Sequence, residues 1–117
     1  RRFIVIKSSD HGLTAEVRLL DADESNSTAQ LFAVREQGID YDVSDHGDRF
    51  LILTNADGAV DYKIMETPIS ARDRSNWRDL VFHKPGRLIR TLEIFRGNLV
   101  WLEQSEGLPR PFSWFVS

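Results

Sequence analysis

An internal repeat constrains this chain more than any other feature. Leu31 aligns with Leu80, Val43 with Leu92, Phe50 with Leu99, Ile52 with Trp101 and Gly58 with Gly107, all at an offset of 49 residues without a gap. An earlier unit fits as well. Phe3 aligns with Phe50 and Asp10 with Asp57 at offset 47, and Glu16, Arg18 and Leu19 align with Asp61, Lys63 and Ile64 at offset 45. A period of about 47–49 residues means that one supersecondary unit recurs, each copy burying its apolar face against the next.

The unit is built of strands. Phe3-Ile4-Val5-Ile6, Phe50-Leu51-Ile52-Leu53 and Leu99-Val100-Trp101-Leu102 are apolar quartets, each followed within a few residues by a turn. Unbroken apolar runs imply strands covered on both faces. Amphipathic segments lie between them: Ala15 to Leu20, Leu31 to Val34, Ile39 to Val43, Val60 to Met65, Trp77 to Phe82 and Leu88 to Phe95. Thr14 to Glu24 is built of good helix formers, yet Ala15, Val17 and Leu19 alternate with Glu16 and Arg18 and fit a half-buried strand equally well. Ser70 to Trp77 could make one short helical turn. Stacked antiparallel blades of four strands, as in a β-propeller, explain both the repeat and the two-sided burial. The expected order within a unit is Ile39 to Ser44 innermost, then Phe50 to Thr54, Val60 to Met65 and Trp77 to His83 outermost; Lys63, on an outer strand, is expected at the surface, where its replacement costs under about 0.5 kcal/mol. The chain then spans about two and a half blades: strands two to four of one in 1–38, a full blade in 39–87, and the first three strands of another in 88–117.

Composition excludes several partners. Fifteen Lys and Arg face eighteen Asp and Glu, a formal charge of −3, which gives no electrostatic reason to expect nucleic acid or an anionic membrane. No apolar run approaches the ~20 residues of a membrane helix, and the start does not read as a signal peptide. The sequence has no cysteine, so a disulfide framework and a thiolate zinc site are out, and a cytoplasmic setting is expected. Asn26-Ser27-Thr28 fits a glycosylation acceptor, a triplet that chance often supplies.

Chemistry-bearing patterns are sparse. A hydrolase of the strand–elbow–helix type presents its nucleophile in Gly-x-Ser-x-Gly, and the sequence holds no such motif. Asp10-His11-Gly12 and Asp45-His46-Gly47 repeat a triplet that could supply metal ligands. Turn chemistry explains it more simply: Asp bonds its own backbone and Gly supplies positive φ, and the two triplets fall at different points of the repeat. Trp77, Trp101 and Trp114, with Arg72, Arg74, Arg78, Arg87 and Arg90, could suggest a nucleic-acid surface, but the net negative charge and the strand positions of the tryptophans favour packing between blades. No catalytic, cofactor-binding or metal residue is assigned, and no cofactor is expected.

Three stretches carry a family resemblance. Phe3-Ile4-Val5-Ile6, Ser8-Ser9 and Thr14 to Ala22 form the first; Tyr41 to Phe50 the second; Asn76 to His83 with Leu92 to Val100 the third. Together they resemble the propeller of the prolyl oligopeptidase family, and within it the oligopeptidase B (protease II) branch. The resemblance implies a serine peptidase whose α/β-hydrolase catalytic domain is capped by a seven-bladed propeller that admits only short peptides, with cleavage after Arg or Lys in that branch. No residue here matches the family's catalytic motifs, so the chain by itself is expected to be inactive. Its expected partners are the catalytic domain, short peptide substrates and, through open blade edges, further copies of itself. The alternative is a free-standing β-repeat interaction module with no peptidase domain.

Overall fold

The computed structural model describes residues 3–9, 14–23, 28–105 and 112–116, with Ser105 and 112–116 described in their backbone only. The strands are β1 (Phe3–Ser9), β2 (Ala15–Asp21), β3 (Gln30–Leu31), β4 (Tyr41–His46), β5 (Arg49–Thr54), β6 (Lys63–Pro68), β7 (Arg78–Val81), β8 (Arg87–Phe95), β9 (Asn98–Ser105) and β10 (Phe112–Val116). They form three antiparallel sheets, ordered β1-β2-β3, β4-β5-β6-β7 and β8-β9-β10. No α-helix occurs among the described residues, so the all-β blade architecture expected from the repeat is met. Thr14 to Glu24 resolves in favour of the strand β2, and Ser70 to Trp77 holds a single 3-10 turn at Arg74–Asn76.

The sheets stack through β5. Phe50 and Ile52 on one face and Leu51 on the other are wholly enclosed, and Leu53 nearly so. Successive side chains of a strand point to opposite faces, so this quartet feeds two cores at once. Phe50 and Ile52 join Val17, Leu19, Phe32, Tyr41, Val43, Met65 and Trp77 in the core against the first sheet. Leu53 joins Ile64 and Ile89 in the core against the third. Aromatic edges knit the first core: Phe50 meets both Phe3 and Phe32 with ring centroids 5.2 Å apart, and Tyr41 lies 5.3 Å from Trp77.

Strand pairing corrects one alignment. Val43 pairs with Ile52 and Leu92 with Trp101, so the offset of 49 holds in the ladders. In the first sheet Val5 pairs with Leu19, whereas in the second Leu53 pairs with Ile64. With Leu19 matched to Ile64, Val5 corresponds to Leu53, an offset of 48 rather than 47. Phe3 and Phe50 are therefore not equivalent positions. A slip of one residue turns a strand's side chains to the other face, and the two rings meet across the interface between sheets.

Burial follows the stacking order. The Phe3 and Val5 face of β1 meets another sheet, whereas Ile4 and Ile6, on the face without a neighbour, are 48 % and 45 % exposed, as expected for a terminal blade. In the Leu99–Leu102 quartet, Leu99 is enclosed and the other three are only partly so. The strand expected from Val60 starts instead at Lys63, since a 3-10 turn at Ala56–Gly58 and positive φ at Asp57 (58°) and Tyr62 (70°) bend the chain first.

Ile52→Ala removes a large aliphatic from a fully enclosed site and should cost about 2–5 kcal/mol, whereas Ile4→Ala, on the open face, should cost under about 1 kcal/mol. Urea titration of the two variants checks the contrast, and equal costs would contradict these strand roles.

Candidate functional site

Neighbouring sheets approach one another along β1, β2, β4 and β8. Blades that stack about an axis converge at their inner strands, so β4 and β8 form the inner edge. The turn that closes each inner hairpin is tight: Gly47 (φ 68°) and the pair Arg96-Gly97 (φ 51° and 77°) supply the left-handed backbone that such turns need.

Asp40, just before β4, is held at nearly every polar atom. Its backbone N–H donates to Asn55 Oδ1 at 2.8 Å, and its carbonyl accepts from Thr54 Oγ1 at 2.7 Å. Tyr62 OH donates to Asp40 Oδ2 at 2.7 Å. From the first sheet, Lys7 Nζ reaches Asp40 Oδ1 at 2.9 Å and Asp42 Oδ1 at 3.2 Å. Partial burial pulls the Lys7 ammonium down, but hydrogen bonds and charge from Asp40 and Asp42 outweigh it and hold the group above the ordinary lysine value. Burial, then the hydrogen bond and charge of Asp40, push the Tyr62 phenol well above its usual range. Tyr62 sits at positive φ, a costly conformation for a bulky residue, and its bond to Asp40 helps to fix it there.

The seam with the third sheet is made differently. Asp61 accepts from the backbone N–H of Gly86 through Oδ2 (2.8 Å) and from that of Ile89 through its carbonyl (3.0 Å). His46 Nε2 lies 2.8 Å from Gly97 O, and His46 Nδ1 lies 3.3 Å from an Arg49 Nη. A neutral imidazole protonated at Nε2 satisfies both contacts.

A second charged cluster sits away from this edge. Lys63 is only 5 % exposed, with Nζ 2.8 Å from Asp79 and 3.0 Å from Asp57. Arg74 reaches Asp57 at 2.7 Å and stacks over Trp77 at 5.0 Å. Lys63 had been expected on the solvent side of an outer strand. Its place on β6 instead buries the stem and leaves the ammonium between two carboxylates. Burial lowers the Lys63 pKa, but bonds to Asp79 and Asp57 more than reverse this and it ends raised. Bonding to Lys63, with the Arg74 charge added, holds the Asp57 carboxyl below its usual value.

The residues singled out in the sequence are scattered. Asp45-His46-Gly47 closes the β4–β5 hairpin, and Asp10-His11-Gly12 lies outside the described residues. Among the described residues no group of three or more His, Asp or Glu is placed to hold a metal ion. Trp77 is core, its Nε1 donating to Arg72 O at 3.0 Å, while Trp101 donates to Glu103 at 3.0 Å. The side chain of Trp114 and the Asn26-Ser27 part of the glycosylation triplet are outside the described residues. The Asp40–Lys7–Tyr62 and Lys63–Asp57–Asp79 clusters were missed by sequence reasoning. Their one signal is Asp57-Gly58, a turn dipeptide following a buried strand.

This arrangement of dry faces and a polar inner edge has a family. The model for the prolyl oligopeptidase N-terminal β-propeller domain matches residues 1–111. The chain belongs to that family. It is 34 % identical over 107 residues to dipeptidyl aminopeptidase BI of Pseudoxanthomonas mexicana, covering 92 % of this chain and 14 % of that protein. Protease 2 of Moraxella lacunata is 33 % identical over 107 residues, covering 92 % and 15 %. Among solved structures, oligopeptidase B from Leishmania major superposes with TM-score 0.78 at 28 % identity over 97 % of this chain and 17 % of that one. Oligopeptidase B from Trypanosoma brucei, in a closed form with covalently bound antipain, gives 0.83 at 28 % over 97 % and 16 %. The chain thus spans about one seventh of the length of the curated relatives it matches.

Replacing Lys63 with Ala should destabilise the chain by about 1.5–3 kcal/mol, the range for hydrogen bonds to charged groups. The pH dependence follows from the shifts. The depressed Asp57 contributes stability above the ordinary Asp pKa of about 3.9, lost as pH falls through its lower folded value. The raised Lys63 keeps its contribution until pH rises through a value above 10.5. Chemical denaturation between pH 7 and 3 should show stability falling on the acid side, with a shallower fall in Asp57→Asn.

Proposed function

We propose that this chain supplies blades of the non-catalytic lid over the α/β-hydrolase domain of an oligopeptidase B-like serine peptidase, filtering short peptides that the parent enzyme cleaves after Arg or Lys. The observation that carries this reading is the contrast between faces and edge. The faces between neighbouring sheets are closed apolar cores, whereas the inner edge presents Asp42, Arg90 and Glu93 to solvent. A hydrophilic rim on a rigid scaffold suits a passage that hydrated peptides can enter. Similarity to Protease 2 and to dipeptidyl aminopeptidase BI supports the peptidase setting. Replacing the matching segment of a full-length oligopeptidase B with this chain should preserve cleavage of short peptides after Arg or Lys and continued exclusion of folded proteins. Lys7→Ala with Asp40→Ala, which unties one seam, should narrow the discrimination between short and long substrates. Unchanged discrimination in an active, seam-loosened chimera would overturn the filtering role.

Self-association of the isolated chain belongs to the same proposal. The outward face of the first sheet carries Ile4, Ile6 and Leu20. Trp101 packs toward the middle sheet, so alternation turns Val100 and Leu102 outward on the third. These faces are of the two kinds that meet inside the molecule, and copies could stack head to tail through them. Light scattering over a hundredfold range of concentration should show mass rising with concentration, and less so in Ile4→Lys with Ile6→Lys. A monodisperse monomer throughout would refute it.

A further inference from the structure

Between the converging edges of the middle and third sheets lies a cavity of about 220 Å3. Asp42, Ser44 and Leu53 line it from the middle sheet, and Arg90, Thr91 and Leu92 from the third. The β8–β9 ladder is regular except between Ile89, paired with Glu103, and Thr91, paired with Leu102. Arg90 is the extra residue of this bulge, and bulges commonly re-aim a side chain beside a site. Among the described residues no carboxylate lies within ion-pairing distance of Arg90. Its one hydrogen bond, from Nη1 to Gln104 Oε1 at 3.0 Å, is to a neutral amide.

The rest of the lining suits the same ligand. The hydroxyls of Ser44 and Thr91 make no hydrogen bond among the described residues, so both remain available as donors. Asp42 would repel an anion, but Lys7 Nζ stands 3.2 Å from its carboxylate and offsets that charge. Leu53 and Leu92 give the cavity an apolar wall. Its volume equals that of roughly seven water molecules in the liquid, room for the end of a chain and not for a strand passing through.

We propose that this cleft binds a carboxylate, the C-terminal carboxylate of a peptide, with Arg90 as the bidentate donor, Ser44 and Thr91 as hydroxyl donors, and the terminal side chain against Leu53 and Leu92. The proposal deepens the peptide-filter reading and rests on it for the identity of the ligand. It concerns binding alone and involves no bond making or breaking.

The test is a two-dimensional 15N NMR titration of the chain with three probes: N-acetyl-Ala-Leu with a free carboxylate, the same peptide as its C-terminal amide, and N-acetyl-Glu-alaninamide, whose carboxylate is on a side chain. The free acid should shift the amides of Ser44, Arg90 and Thr91 saturably, and the amide should bind at least tenfold more weakly. Arg90→Gln should lose at least tenfold in affinity for the acid, Arg90→Lys should keep part of it, and Lys7→Met should weaken it as Asp42 regains its full repulsion. Arg90 is exposed, so both of its variants should retain the parent's spectral dispersion and thermal midpoint. The Glu probe should bind more weakly than the free acid, and equal binding would overturn the assignment to a peptide C-terminus. Equal binding of acid and amide, unchanged binding in Arg90→Gln, or no saturable shift at millimolar peptide would overturn it. Failure here with a size-selective chimera would leave the filter reading standing. A carboxylate-specific cleft with an unselective chimera would do the reverse.

Discussion

The whole arrangement depends on one strand being apolar on both faces. β5 takes backbone hydrogen bonds from β4 on one side and β6 on the other, so its polar atoms are satisfied within the sheet and its side chains can leave water in both directions. Phe50 and Ile52 go one way, Leu51 and Leu53 the other. Because stacked sheets sit only about 10 Å apart, a single strand of this kind fixes the distance to two neighbours. The first and third sheets can then be short and irregular, since their position is set by what they pack against.

That strand is also why much of the fold could be read from the sequence. A quartet without alternation, recurring at a fixed offset, has few structural meanings, and the offset of 49 between Val43 and Leu92 survives in the ladders. Where reading went astray, the cause was parity or context. Phe3 and Phe50 share identity and neighbourhood, yet one residue of slip puts them on opposing faces. The strand expected from Val60 begins only at Lys63, because positive φ at Asp57 and Tyr62 bends the chain first. Lys63 looked like a solvent residue because lysine usually is; only the turn at Asp57 and the position of Asp79 across the ladder make a buried ammonium tolerable.

The polar clusters were illegible for a related reason. Asp40 lies outside any strand, and its partners come from positions 7, 54, 55 and 62. No local pattern links those positions. They meet because the sheets converge, and convergence is a property of stacking. The same holds for the inner cleft: the bulge at Arg90 leaves no mark in a sequence where Leu88 to Phe95 reads as an ordinary amphipathic strand.

The two seams of the middle sheet differ in the charges that cross them, and this bears on how the sheets could part. Charges cross the first, beside a backbone bond from Ala15 N–H to Ile39 O: Lys7 reaches Asp40 and Asp42 and is only partly covered. Backbone groups cross the second, through Asp61 and through His46 to Gly97, beside the cleft. Exposed ionic contacts weaken with salt, the screening length being about 8 Å at physiological ionic strength, while neutral hydrogen bonds to backbone are little affected. Each seam also has an apolar core behind it, and the first is the larger, with a cluster of aromatic rings. The first seam is therefore anchored by packing and tuned by charge. The second relies on fewer buried contacts and a hinge-like set of hydrogen bonds at its two ends. Separation of the sheets should therefore begin at the second seam, where the smaller core leaves a cleft beside the inner edge.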